Sequence, residues 1–172
     1  MWVQRLSRAP VSATHPPLHL CGLKLYQNYF KIQAKKGYFL KKVLILCTGN
    51  SCRSIIAEGL INKYFPDIKA YSAGSNPSGR VNPNAKKVLI EENAWKDDYH
   101  SKTIEEVLNH APFDLAVTVC DNAAKGCPVI PATKTIHIPF EDPDGKDYEE
   151  FVKTKEEIKE RLFSALRTHF QV

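Results

Sequence analysis

The stretch KKVLILCTGNSCRSIIAEG, residues 41–59, reads as a strand, a short loop and a helix in immediate succession. Val43–Leu46 is an unbroken apolar run, the mark of a strand buried on both faces. Cys47 and Arg53 then frame a loop of small residues with five positions between them. A loop of this kind turns backbone N–H groups toward a tetrahedral oxyanion, and the N-terminus of the following helix adds partial positive charge. Thr48, Gly49, Asn50, Ser51, Cys52 and Arg53 are therefore the expected anion-binding set. Gly49 lets the backbone approach closely, and the planar fork of Arg53 grips two anion oxygens. Cys47 ends the strand beneath those donors. The same field is expected to depress its pKa toward the reactive thiolate, with the Ser54 hydroxyl steadying it. A cysteine and an arginine at this spacing recur by chance. The strand before and the helix after make the motif specific.

Around this centre the chain has 172 residues, enough for one α/β domain with a core, and 43% of them are hydrophobic, a globular value. No apolar run is long enough to span a membrane. The net charge of +5 is unevenly placed: residues 1–40 carry six basic residues and no acid, and the remainder carries 18 basic and 19 acidic. The excess belongs to the first segment, so it implies neither a nucleic-acid nor a membrane partner. That segment holds Pro10, Pro16 and Pro17 and has no clear period. It is expected to be a basic extension outside the fold, disordered or non-native. It reads either as an organellar transit peptide, being basic and acid-poor, or as translation from upstream of a true start at Leu40, the reading preferred here. Met1 is the only methionine, which suits the second reading. The domain is placed at residues 41–172.

Beyond the loop, strands and helices alternate. The first helix carries Ile55, Ile56, Leu60, Ile61, Tyr64 and Phe65 on a helical period and stops at Pro66. Glu58, one turn into it, is expected to be solvated. Ile68–Ala73 reads as a strand. Asn82-Pro83 opens a helix to about Asn93, with Asn as N-cap and Pro in the first turn. Thr103 and Glu106 form a capping box for a short helix. Phe113–Val119 and Lys134–Ile138 are the third and fourth strands, and a long helix runs from about Tyr148 to Phe170. This alternation predicts a three-layer α/β/α domain around a four-stranded parallel sheet. Ligands of such sheets bind at the carboxyl ends of the strands. Cys47 follows the first strand, Cys120 the third, and Asp142 the fourth.

The chain has five cysteines, Cys21, Cys47, Cys52, Cys120 and Cys127. An odd count with no secretory signal argues for working thiols in a reducing, cytoplasmic setting over a disulfide framework. Cys120 and Cys127 enclose CDNAAKGC. Were that segment helical, its ends would lie about 10 Å apart, whereas a disulfide needs roughly 4.4–6.8 Å between Cα atoms. Bridging them would require it to unwind, and Gly126 and Pro128 suit a loop that can. The pair reads as a redox switch. Asp142, in Phe140-Glu141-Asp142-Pro143, is placed to protonate a leaving oxygen.

Together CTGNSCRS, CDNAAKGC and the FEDP loop resemble the thioredoxin-coupled arsenate reductases built on the low-molecular-weight tyrosine phosphatase fold. The resemblance covers about Leu40 to Val172. It implies a flavodoxin-like strand order 2-1-3-4 and arsenate as substrate, with phosphate or sulfate as mimics. Cys47 would attack arsenate, Arg53 and the loop would hold it, Ser54 would support the thiolate, and Asp142 would be the general acid. Cys120 would then attack Cys47, leaving a Cys47–Cys120 disulfide. Cys127 would convert this to a Cys120–Cys127 disulfide for re-reduction by thioredoxin. No tightly bound cofactor is implied. Family members often bind potassium beside the loop, and Asn50 and Glu58 fall at matching positions, although Trp95–Lys102 (WKDDYHSK) departs from the family pattern. The chemistry is coherent: arsenate mimics phosphate, and one dithiol supplies the two electrons its reduction takes.

Two other readings compete. A low-molecular-weight protein tyrosine phosphatase needs only Cys47, Arg53 and Asp142. Such enzymes usually carry tyrosines after the Asp-Pro, where this chain has Asp144-Gly145-Lys146, but weak cleavage of aryl phosphates is expected because the loop is shared. A non-catalytic oxyanion-binding redox sensor would bind without turnover.

Overall fold

A computed structural model describes residues 40–126, 130–132 and 134–172. The expected N-terminal extension, Cys21 and Cys127 lie outside the described residues, Leu40 excepted. Strand β1 (Lys41–Cys47) is central, and Val43–Cys47 are buried one after another. Alternate side chains of a strand point to opposite faces, so an unbroken buried run means that both faces are covered. β1 pairs in parallel with β2 (Ile68–Gly74) over seven residues and with β3 (Leu115–Thr118) over four. β4 (Thr135–His137) lies beyond β3, giving the expected order β2-β1-β3-β4.

Helix α1 (Arg53–Tyr64) packs on β1 and β2. Ser54 through Ile61 are all buried, so this helix is enclosed on nearly every side. Tyr64, expected in the core, is instead exposed near the helix end. α2 (Pro83–Glu91) begins as the sequence predicts, with the Asn82 side chain accepting the Asn84 N–H at 2.8 Å. α3 (Ile104–Leu108) carries the Thr103/Glu106 capping box. The last two strands are shorter than expected. Phe113 leaves the third strand's ladder and makes a separate bridge to Ala132.

The segment after Cys120 is helical, α4 (Asp121–Gly126), where a loop was expected. Cys120 sits at its mouth, its Sγ accepting the Ala123 N–H at 3.4 Å in the manner of an N-cap. The closing helix is α5 (Tyr148–Glu157), a π-helical turn (Ile158–Leu162) and α6 (Phe163–Phe170). Phe151, Ile158, Leu162, Phe163 and Leu166 are its buried residues facing the core. No helix among the described residues is long and apolar enough to cross a membrane.

Candidate active site

The loop between β1 and α1 owes its shape to where its carbonyls go. The carbonyls of Cys47, Thr48, Gly49 and Ser51 accept the backbone N–H groups of Ser75, Asn76, Ser78 and Asn82, at 2.9–3.1 Å. All four donors lie on the connection from β2 to α2. A trans peptide points its N–H opposite its C=O. With these carbonyls turned outward, the N–H groups of Thr48, Gly49, Asn50 and Cys52 turn toward the loop's centre. The Asn50 N–H confirms the geometry by meeting Cys47 Sγ at 3.1 Å. Asn50 has φ 44°, a left-handed conformation that Asn tolerates better than most residues. Gly74 makes the crossing possible, since a Cβ there would come within 2.5 Å of the Thr48 carbonyl oxygen. Gly49 is bare for another reason. A Cβ on it would meet the protein only at 3.4 Å or beyond, and Gly49 lines the cavity in front of the loop.

That cavity, of about 520 Å³, collects the expected groups. Cys47, Thr48, Gly49, Ser51, Cys52 and Arg53 line one side, Cys120 and the start of α4 another, and Asp142 and Asp144 the rim. Three elements of the chain thus meet at the carboxyl edge of the sheet, as its topology requires. Arg53 donates through Nη1 to the Phe140 carbonyl at 3.1 Å and is ion-paired through Nη2 with Asp142. The Asp142 carboxylate is half exposed while the Arg53 side chain is nearly covered. The pair therefore sits where solvent or an anion meets it.

Cys47 is buried, and its Sγ lies 2.8 Å from Ser54 Oγ. The expectation of a depressed thiol pKa is not met. Burial pushes the Cys47 thiol above its ordinary value, while hydrogen bonds from Ser54 and Asn50 and the charge of Arg53 pull the other way. The sequence motif exposes the donors but not the depth at which the sulfur is buried. Cys52 is also buried, and its thiol is pushed up to about 12 by burial, opposed by Ser51 and reinforced by the charges of Asp144 and Asp142. At neutral pH it is an inert thiol. Cys120 is buried, with Sγ 3.4 Å from Thr48 Oγ1, so it touches the loop that carries Cys47. Cys47, Cys52 and Cys120 are all free thiols.

Behind the loop, Glu58 corrects the sequence reading: it is buried, not solvated. It accepts the Ser72 hydroxyl at 2.6 Å and the Lys102 ammonium at 3.0 Å. Asn50 is brought to the same network. Its Nδ2 donates to Ser54 Oγ at 2.9 Å and to Ser72 Oγ at 2.8 Å, and its Oδ1 accepts the Lys102 N–H at 2.6 Å. Ser72 and Lys102 were missed in the sequence. The one available signal was Ser72 in the strand IKAYSA, a polar residue that alternation places on the same face as Ile68 and Ala70. Asp144 and Asn82 were missed as site residues too. Asn82 Nδ2 donates to Asp144 Oδ1 at 2.7 Å, fastening the rim to the start of α2.

Comparison with known proteins agrees with this geometry. The profile of the family "Low molecular weight phosphotyrosine protein phosphatase" matches residues 42–169. An arsenate reductase of Bacillus cereus (strain 03BB102) is 42% identical over 125 residues, covering 71% of this chain and 91% of that protein. The crystal structure of an arsenate reductase from Archaeoglobus fulgidus DSM 4304 is 37% identical, with a TM-score of 0.59, over 69% of this chain and 94% of that one. An arsenate reductase solved in a phosphate-binding state is 31% identical, with a TM-score of 0.60, over 74% and 98% of the two chains.

Proposed function

The chain belongs to the low molecular weight phosphotyrosine protein phosphatase family, and we propose that within that family it reduces arsenate to arsenite with a thioredoxin-type dithiol as electron donor. One observation carries the reading: a thiol from outside the loop, Cys120, lines the cavity in front of Cys47. A phosphatase has no use for it. The extent of the match to proteins named arsenate reductase supports the same conclusion.

The incoming anion takes Arg53 from Asp142, which binds a proton from solvent. The Cys47 thiolate attacks arsenic, and an As–O bond breaks as Asp142 gives that proton to the departing hydroxyl, releasing water. Arg53 and the loop N–H groups hold the remaining oxygens. The Cys120 thiolate then attacks Cys47 Sγ. The S–As electron pair leaves with arsenic, which departs as arsenite, and a Cys47–Cys120 disulfide remains. Cys127 attacks Cys120, freeing the Cys47 thiolate, and the external dithiol reduces the Cys120–Cys127 disulfide. Two electrons enter and two leave in each turnover. Free thiols at 47, 52 and 120 suit a reducing cytoplasm.

The Arg53–Asp142 pair beside Cys47 also supports slow cleavage of aryl phosphates as a second activity. The test is arsenate-dependent NADPH oxidation with thioredoxin and thioredoxin reductase. Wild type is expected to cycle and Cys127→Ser to stop after one round. Unimpaired cycling of Cys127→Ser would remove the relay, and aryl-phosphate cleavage without arsenate turnover would leave a phosphatase. Anion binding without either reaction would leave a sensor.

A further inference from the structure

We propose that the ammonium group of Lys102 is the built-in cation of the anion loop, standing in place of the potassium ion that the family resemblance implies there, and that it positions Asn50 and, through it, Cys47. This deepens the arsenate reading, but its first measurement does not depend on that reading.

The residues present do not fit a bound potassium ion. Such an ion needs several oxygens turned toward it, and Glu58 Oε2 and Asn50 Oδ1 are already turned toward protein donors. Glu58 Oε2 accepts from Ser72 and from Lys102 Nζ. Asn50 Oδ1 accepts the Lys102 backbone N–H. The His100 carbonyl, a third oxygen at this place, accepts Lys102 Nζ at 3.3 Å. Among the described residues no buried side-chain nitrogen or oxygen lacks a hydrogen-bond partner, and no group of three or more His, Cys, Asp and Glu could hold a metal ion. Lys102 Nζ carries the same single charge as potassium and reaches Glu58 Oε2 and the His100 carbonyl, while the backbone N–H of the same residue takes Asn50 Oδ1. It comes from the stretch WKDDYHSK, where the chain departs from the family pattern.

The position has a consequence for the reaction. Lys102 is largely buried, as are Glu58, Ser72, Asn50 and Ser54. Burial pushes the Glu58 carboxyl above its ordinary value, and the Lys102 charge and the Ser72 hydroxyl oppose it. Two donors meeting on Oε2 mark that oxygen as an acceptor, and a buried carboxylate needs such a partner charge to stay ionised. Lys102 is that partner, and it keeps Glu58 a pure acceptor. Ser72 then gives its one proton to Glu58, and its oxygen is left to accept Asn50 Nδ2. Ser54 receives the other Asn50 proton and gives its own to Cys47. The donors therefore diverge from Asn50, one chain ending through Ser72 on the Glu58 carboxylate and the other through Ser54 on Cys47 Sγ, and fixing the first chain fixes the direction of the second. A neutral Glu58 would become a donor and compete with Ser72, and the order would be lost. The backbone of the same segment assists: the Lys102 carbonyl accepts the Gly74 N–H at 2.9 Å, and Ser101 Oγ donates to the Gly49 carbonyl at 3.1 Å. A second cavity, of about 390 Å³, opens onto Glu58 and Lys102 and gives small ions a route to this place once the lysine is shortened.

The test uses the full chain in potassium chloride and in choline chloride at equal ionic strength. For wild type, Tm and arsenate turnover are expected to be the same in both salts. Lys102→Ala is expected to lose about tenfold or more in kcat with KM little changed. It should recover much of that loss, and several degrees of Tm, when potassium replaces choline. The double variant Glu58→Gln/Lys102→Met removes both charges and guards against a simple folding failure. It should fold, ignore potassium and stay slow. A wild-type Tm raised by potassium over choline would show a metal at the loop and overturn the proposal, whether or not arsenate proves to be the substrate. Wild-type kcat in either variant would overturn it as well, by showing the charge to be idle.

Discussion

The sheet has two unequal halves. β1 and β2 run in register from Lys41 opposite Ile68 to Cys47 opposite Gly74, and both are largely buried. β3 is buried at all four positions, but it pairs with β4 over only three residues, and in β4 Thr135 and His137 are exposed with Ile136 half-buried, so the thin packing of this half lies at β4. The anion loop hangs from the first half, tied by its carbonyls to the end of β2. Cys120 and Asp142 hang from the second. The division matches what each part must do. Donors that stabilise charge work best when they are fixed before the reaction. A thiol that attacks one sulfur and is then attacked by another has to change position. Thinly packed elements with few buried contacts open at lower free energy than core strands. On the proposed relay, the first, strong half is suited to binding and the thin β4 edge of the second, weak half to the movement that electron transfer asks of Cys120.

The largest effect that can break this division is chemical. Cys47→Ser is expected to lower both arsenate turnover and p-nitrophenyl phosphate cleavage by about a thousandfold or more. Cys120→Ser should abolish repeated arsenate turnover yet leave aryl-phosphate cleavage within about threefold of wild type, because phosphoester chemistry does not use that thiol. If both substitutions stopped both reactions, the two halves would not be separable in function. Next comes stability. Ile45→Ala, fully buried in β1, is expected to cost about 2–5 kcal/mol in urea unfolding. Ile136→Ala in half-buried β4 should cost about 1 kcal/mol. Equal costs would contradict the asymmetry.

Within the strong half, Ser54→Ala removes the side-chain donor that opposes the burial of Cys47. The thiol pKa, already raised by burial, should rise further. Loss of a hydrogen bond to a charged group is worth about 1.5–3 kcal/mol. Arsenate turnover at pH 7 should therefore fall by about ten- to a hundredfold. The deficit should shrink as pH rises and the thiolate fraction recovers, so a pH–rate profile checks both size and sign. The smallest effect is expected at Cys52. Its thiol, held at about 12, is not ionised at neutral pH, and Cys52→Ser should change turnover by less than about threefold.

Most of the strong half was legible in the sequence. An apolar run followed by small residues and an arginine announces strand, loop and helix within a short span, and the Asn82 and Thr103 caps are equally local signals. The weak half was read less well. β3 and β4 came out longer than they are, because apolar residues at a strand's end do not reveal where pairing stops. The helix at Asp121–Gly126 was read as a loop from its neighbouring glycine and proline, and the sulfur of Cys120 accepting the Ala123 N–H is not a recognised cap in sequence. Glu58 was misread for a third reason. A carboxylate within a helix is usually solvated, and only a lysine 44 positions away in the chain makes its burial tolerable.

What the amino-acid order settled by itself was the kind of chemistry: a cysteine and an arginine on an anion loop, two further thiols, and a parallel sheet to gather them at one edge. These depend on residue type and spacing over a few positions, where periodicity and backbone capping operate. The folded chain alone decided the depth of the Cys47 sulfur, the pairing of Arg53 with Asp142 and the union of Asn50, Glu58 and Lys102. Those contacts join residues tens of positions apart, and their existence depends on strand order and packing that no local pattern carries.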